Sequence, residues 1–281
     1  MVDARWFVPD WPAPTRVRAL FTTRGSSPAD GASPAPYQYF NLGDHVGDAA
    51  DAVAANRALL AQALGAARPV FLHQVHGTGV CALSPDLADG TTADAAFSTR
   101  SDVACTVMVA DCLPVLLTTA SGSAVAAAHA GWRGLASGVL QATLEQFRPA
   151  GQAGRAQPAI DNEANQGADP IIAWLGPCIG PRAFEVGAEV REAFLAQDAG
   201  ADPAFAPHTP GKFLADLPAL ARRVLLTNGV TAVYGNDGSD AWCTVARPDR
   251  YFSFRRDQSA LGGTGRMAAC IWIDEVGAPS A

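Results

Sequence analysis

Long apolar runs are missing from this chain. Its most continuous ones, such as 103–109 and 113–117, fall far short of the roughly 20 residues that span a bilayer, so no membrane helix is expected. The opening residues, Met1 to Trp6, lack a basic stretch followed by an apolar one; no secretory signal and a cytoplasmic location are the expectation. Basic clusters are missing too: Lys and Arg adjoin only in pairs such as Arg255-Arg256, and the net charge is −7. That argues against a nucleic-acid partner, which needs a positive footprint. The six cysteines include no C-x2-C pair and are irregularly spaced, unlike the disulfide framework of a short secreted domain. Histidine is scarce, at five residues, with no His-x-His pair. No internal repeat is apparent.

What the chain does have is apolar substance. Hydrophobic residues make up 49% of its 281 positions against 17% charged, enough for a sizeable core. Strand-like segments are expected at 6–8, 18–23, 69–73 and 79–83, then at 94–98, 103–109, 113–118 and 124–128. The last three are nearly continuous apolar runs, as in strands covered on both faces. Further sheet material is expected at 171–175, 230–234, 243–244, 251–254 and 268–273. Helices are expected over 48–64, capped by Asp48 and ended by Gly65, and over 134–147, 187–196 and 214–227. Residues 26–36 and 86–92 read as loops. The stretch 148–170 holds almost no large apolar residues and reads as an exposed insertion. Strands and helices do not alternate strictly, so the expected architecture is one α+β domain of mixed sheets flanked by helices.

Three short stretches carry the chemistry: Leu72-His73-Gln74-Val75-His76-Gly77, Ala110-Asp111-Cys112-Leu113-Pro114 and Ala128-His129-Ala130-Gly131-Trp132-Arg133-Gly134. Each sets a thiol or imidazole where an apolar strand gives way to a turn. Two imidazoles and a thiolate suit a zinc-like ion, and three protein ligands leave a fourth position open. The dispersed positions of His76, Cys112 and His129 match no zinc-finger spacing and fit instead a site assembled by the fold. The competing reading of each is a hydrogen-bonded polar residue at a turn, and the pattern alone leaves both open. Cys105 and Cys270 lie in strand-like runs and read as small buried hydrophobes. Cys112 and Cys178, in turns, are the two thiols with chemical potential.

The blocks H-Q-V-H-G, A-D-C-x-P-V-L-L, H-A-G-W-R-G and G-P-C-I-G-P-x-x-F-E-V-G resemble the YfiH family, also labelled laccase-domain or multicopper polyphenol oxidoreductase. T-T-R-G, F-N-L-G and T-G-R-M near the ends match as well, so the resemblance runs from about residue 18 to 273. Two departures stand out: the segment after T-T-R is Gly25-Ser26-Ser27-Pro28-Ala29-Asp30, and the insertion at 148–170 is long. The resemblance implies a YfiH-like, cytotoxic-necrotizing-factor-like architecture and a zinc site at His76, Cys112 and His129. It also implies phosphorolysis of adenosine, inosine and methylthioadenosine, with adenosine deamination.

A laccase centre needs a blue copper and a trinuclear cluster rich in imidazoles, which five histidines without a His-x-His pair cannot supply. A lone copper on a His2Cys set remains compatible with these ligands. For purine nucleoside and phosphate as substrates, Arg133 is the best-placed anion donor, followed by Arg24 and Arg266 from matched motifs; a surface ion pair is the bland alternative for each. Asp111 is a candidate base or a turn cap. Asn41 is a ribose or base contact, or a left-handed turn residue. His73 is a pocket-wall candidate. Cys178 lines the pocket or holds a turn, and Trp132 stacks on a base or packs. Two other classes stay in view: a cysteine hydrolase or amidase with Cys112 as nucleophile and His129 as base, and a non-catalytic metal protein with a closed site.

Overall fold

The computed structural model describes residues 5–148 and 169–275; most of the expected insertion at 148–170 therefore lies outside the described residues. The first half holds β1 (Trp6–Phe7), β2 (Val17–Thr22), α1 (Ala50–Leu64), β3 (Arg68–Phe71), β4 (Val80–Ala82) and β5 (Ala95–Ser98). Next come β6 (Val103–Val109), β7 (Leu113–Thr119), β8 (Val125–Ala130), α2 (Trp132–Ser137), α3 (Val139–Glu145) and β9 (Ile171–Leu175). The remainder is β10 (Glu185–Gly187), α4 (Ala188–Leu195), β11 (Phe205–Pro207), β12 (Lys212–Ala215), α5 (Leu217–Thr227), β13 (Ala232–Gly235), α6 (Phe254–Leu261) and β14 (Met267–Ile273).

Two large mixed sheets face each other. One has the order β1-β2-β14-β6-β3, the other β13-β9-β7-β8-β5-β4. Period-two alternation explains why their central strands are apolar throughout. On β6, Val103, Cys105, Val107 and Val109 point into the core between the sheets, while Ala104 and Met108 pack outward against α1 residues such as Leu60 and Leu64. On β7, Leu116 points inward and Leu113, Val115 and Leu117 point outward, into a second core shared with α3, α4 and α5. The result is helix, sheet, sheet, helix in layers, the expected α+β class of mixed sheets with flanking helices. No helix among the described residues is long and apolar enough to cross a membrane.

Several local expectations need correction. The helix expected over 134–147 starts at Trp132 and is broken at Gly138, whose φ of 101° ends α2 and opens α3. Asp48 does not cap α1 in the expected way; its carboxylate accepts from Asn41 Nδ2 and the adjacent Ala49 amide, and Ala49 holds the cap position. The helix expected from 214 starts at Leu217 behind the Asp216 cap, and 212–215 is a strand of the small sheet β10-β12-β11. Residues 251–253 are not a strand, and Ser253 instead caps α6 by accepting from the Arg256 amide at 3.2 Å. Cys243 makes a single bridge with Cys178 rather than a strand.

The chain changes sheet between β6 and β7, so Ala110-Asp111-Cys112 is the crossover. The H-Q-V-H turn follows β3 of one sheet and His129 ends β8 of the other, so all three motifs meet at one end of the sandwich. Leu116 is fully buried between the sheets. Leu116→Ala should lower the unfolding free energy by about 3 kcal/mol at an unchanged denaturant slope; a loss below about 1 kcal/mol in guanidinium titration would contradict this packing.

Candidate metal and substrate site

Asp94, fully buried just before β5, builds the site. Its carboxylate accepts the amides of Val75, His76 and Gly77 at 3.2, 2.9 and 2.6 Å, which curls the H-Q-V-H-G turn around it. His76 takes a φ of 59° there, one of two non-glycine residues in the left-handed region among the described residues. The same carboxylate lies 2.8 Å from His129 Nδ1. Burial alone would raise the Asp94 pKa, but His129 and the turn amides hold it below the usual carboxylate value. With Nδ1 turned to Asp94, His129 keeps Nε2 for a ligand, the usual way a carboxylate orients a metal-binding imidazole.

Cys112 Sγ stands 3.6 Å from His76 Nε2, and the donor atoms of His76, Cys112 and His129 all lie within 4.8 Å of one another. Ligands about 2.3 Å (sulfur) and 2.0–2.1 Å (nitrogen) from a tetrahedral ion would stand about 3.5 Å apart, so the donor set fits a zinc-sized ion. Among the described residues no fourth His, Cys, Asp or Glu joins the cluster. Gly131 is required beside it, since a Cβ there would approach His76 Cδ2 to 2.8 Å and Cys112 Sγ to 2.9 Å. Burial pushes the Cys112 thiol up, but His129 and His76 more than offset this and hold it at about 6. Burial lowers His129, while Cys112 and Asp94 raise it to about 9. The pair therefore rests as thiolate and imidazolium.

The cluster opens into a cavity of about 430 Å³, within the usual range for small-molecule sites. Ile179, Phe184, Leu217 and Phe254 give its lining an apolar part, and Arg133, Arg255 and Arg266 a cationic one, with the Arg255 guanidinium 5.7 Å from the Phe184 ring centroid. Trp132 also lines it, with the Arg133 guanidinium 4.4 Å from the indole centroid. Arg266 donates to the Thr264 and Gly265 carbonyls, both at 3.1 Å, and burial lowers its pKa. The Gln74 side-chain amide accepts the Met108 amide at 2.7 Å and donates to the Met108 carbonyl at 2.8 Å.

Other expected site residues are placed differently. Asp111 lines the cavity, but its oxygens accept from Thr244 Oγ1 at 2.5 Å and the Arg255 amide at 2.6 Å, and burial raises its pKa. Arg24 does not line the cavity; its guanidinium holds the carbonyls of Gln38 and Pro248. Asn41 is a buried clamp outside the cavity, accepting the Gly43 and Arg266 amides, and its backbone is not left-handed. His73 lines a neighbouring cavity with its Nδ1 3.3 Å from Thr92 Oγ1. Cys178 is fully buried, accepts from Asn236 Nδ2, and is pushed well up by burial, so it serves the turn. Sequence reasoning missed Asp94, Gln74, His45 and Phe254.

Residues 18–274 match the family described as multi-copper polyphenol oxidoreductase laccase. The chain belongs to this family. It is 46% identical over 271 residues to purine nucleoside phosphorylase PA4543 of Pseudomonas aeruginosa, covering 96% of this chain and 99% of that one. It is 45% identical to purine nucleoside phosphorylase YfiH of Escherichia coli, with the same coverage. Among solved structures, Neisseria meningitidis NMB0706 superposes with a TM-score of 0.81 at 44% identity, covering 96% of this chain and 99% of its own. YlmD of Geobacillus stearothermophilus does so at 0.76 and 27% identity, covering 96% of each chain. Family membership and fold thus agree with the motif resemblance.

Two outcomes are expected of this geometry. Asp94→Asn should weaken zinc binding about 10- to 100-fold, the cost of losing a carboxylate that orients a ligand; unchanged affinity by calorimetry would contradict the assigned role. A zinc ion taken up by this donor set would have to displace the His129 proton below about 9 and the Cys112 proton as well below about 6. From this pair, affinity should rise roughly tenfold per pH unit between those values and flatten above. A pH-independent affinity would contradict the thiolate–imidazolium pair.

Proposed function

We propose that this protein is a cytoplasmic, zinc-dependent purine nucleoside phosphorylase acting on adenosine, inosine and methylthioadenosine, with adenosine deaminase activity at the same site. The observation that carries this reading is the make-up of one cavity. Its lining brings together a His2Cys donor set, apolar and aromatic side chains, and three arginines. A purine and an anion call for that combination, and the names of the relatives point the same way.

A zinc ion held by His76, Cys112 and His129 would supply a Lewis acid to the cavity that these residues line. The chain's own groups do the rest. Arg133, aligned by its stack on Trp132, and Arg266, braced by two carbonyls, bind phosphate through charge-assisted bonds. Trp132 and Phe254 offer flat faces to the base. In phosphorolysis a phosphate oxygen bonds to C1′ as the C1′–N9 bond breaks, and the purine leaves with the proton that hydrogen phosphate brings. In deamination water adds at C6 and ammonia departs. We assign Asp111 a positioning role, because its carboxylate fastens the crossover that carries Cys112 to the start of α6.

A second reading rests on a specific observation. Cys112, His129 and Asp94 form a thiolate, imidazolium and carboxylate series, the arrangement of a cysteine hydrolase or amidase. An ion on Sγ would occupy the thiolate, so metal content decides between the two. Copper in place of zinc, and with it a polyphenol oxidase, is the disfavoured option: one three-donor cluster among the described residues offers no partner centre for reducing oxygen.

Metal analysis of purified protein should show about one zinc per chain. Adenosine should release adenine only when phosphate is present, and inosine and ammonia without it. Metal-loaded protein that turns over none of several purine nucleosides would sink the proposal. Arg133→Gln should raise the phosphate KM about 10- to 100-fold, the worth of one charge-assisted contact; an unchanged KM would remove Arg133 from the phosphate site.

A further inference from the structure

We propose that His45 is the proton-transfer residue of this cavity, carrying the proton of hydrogen phosphate to the departing purine. The inference rests on the phosphorolysis reading above. Three imidazoles line the cavity, His45, His76 and His129, and the last two belong to the donor cluster. Both oxygens of Asp111 are occupied by Thr244 and the Arg255 amide. Among the described residues this leaves His45 as the cavity-lining imidazole free to exchange a proton with substrate near neutral pH.

Its setting is built for that use. The turn bearing His45 is pinned on both sides, by Arg57 Nε donating to the Leu42 carbonyl at 2.9 Å and Tyr37 Oη donating to the Val46 carbonyl at 2.7 Å. Asp44 Oδ1 faces His45 Nδ1 at 3.4 Å, and its other oxygen lies 3.2 Å from Arg57 Nη2. The carboxylate is thus held between a fixed cation and the ring. With Nδ1 turned to Asp44, Nε2 is the nitrogen left for substrate. His45 also lines the neighbouring cavity of about 340 Å³, which shares Gln74 and Met108 with the first, so it stands where the two spaces meet.

The charge environment suits a relay. Burial, then Arg266 and Arg57, lower the His45 pKa below its ordinary value, and Asp44 opposes them. The ring is therefore neutral at neutral pH and able to accept. As a phosphate oxygen bonds to C1′, Nε2 takes the proton of hydrogen phosphate. As the C1′–N9 bond breaks, Nε2 gives that proton to the purine. His45 ends as it began, and the proton lost by phosphate is the one gained by the base.

The test is the pH profile of phosphorolysis by zinc-loaded full-length protein, wild type against His45→Gln, with inosine and inorganic phosphate as substrates. Wild-type kcat should fall on the acid side, as the ring protonates below pH 6.5. His45→Gln should lose about 100-fold in kcat, lose that acid limb, and keep its zinc and its nucleoside KM. Asp44→Asn removes the group that raises the ring's pKa and should move the limb to lower pH. His45→Gln with kcat within about threefold of wild type, or with the acid limb intact, would overturn the proposal. So would a defect confined to the phosphate KM, which would make His45 an anion contact. Wild-type protein inactive with inosine and phosphate would instead remove the phosphorolysis reading itself, and this inference with it.

Discussion

One buried carboxylate organises the site. An ionised Asp without solvent is costly unless it is fully paired, and Asp94 is paired by three turn amides and an imidazole. Those bonds do two things at once. They bend the H-Q-V-H turn so that His76 faces the crossover, and they fix which nitrogen of His129 is left free. Both motifs depend on Asp94, because the same two oxygens hold both.

The large pattern was legible in the sequence because it is written in side chains. Continuous apolar runs at 103–109 and 113–118 announced strands with two covered faces, and the alternation on β6 and β7 shows why. The three donors were legible because thiol and imidazole beside a turn are uncommon. Asp94 was not, because it lies in the bland run Ala93-Asp94-Ala95 and its main partners are backbone amides, which leave no trace in residue type. Asn41 misled for a related reason. In Asn41-Leu42-Gly43 a clamp on backbone amides and a ligand contact look alike, and only the distant Arg266 amide separates them. The aromatic run at 251–254 imitated a strand, yet Ser253 had a cap to make.

The inherited description and the donor set speak of different chemistry. Several coppers call for several clusters of imidazoles, and the described residues hold one cluster of three donors. The cavity above it is better understood as an electrostatic exception. In a chain of net charge −7, three arginines line one cavity. Such a local reversal of sign draws a small anion toward the cluster while the rest of the surface repels it.

The crossover at Ala110-Asp111-Cys112 has a mechanical consequence. His76 belongs to one sheet's margin, His129 to the other's, and Cys112 to the strand connection that joins them. An ion gripping all three is a rivet through both halves of the sandwich, closing chain segments far apart in sequence. Occupancy of the site and resistance of the whole molecule to unfolding then become one quantity seen from two sides, each rising with the free concentration of the ion.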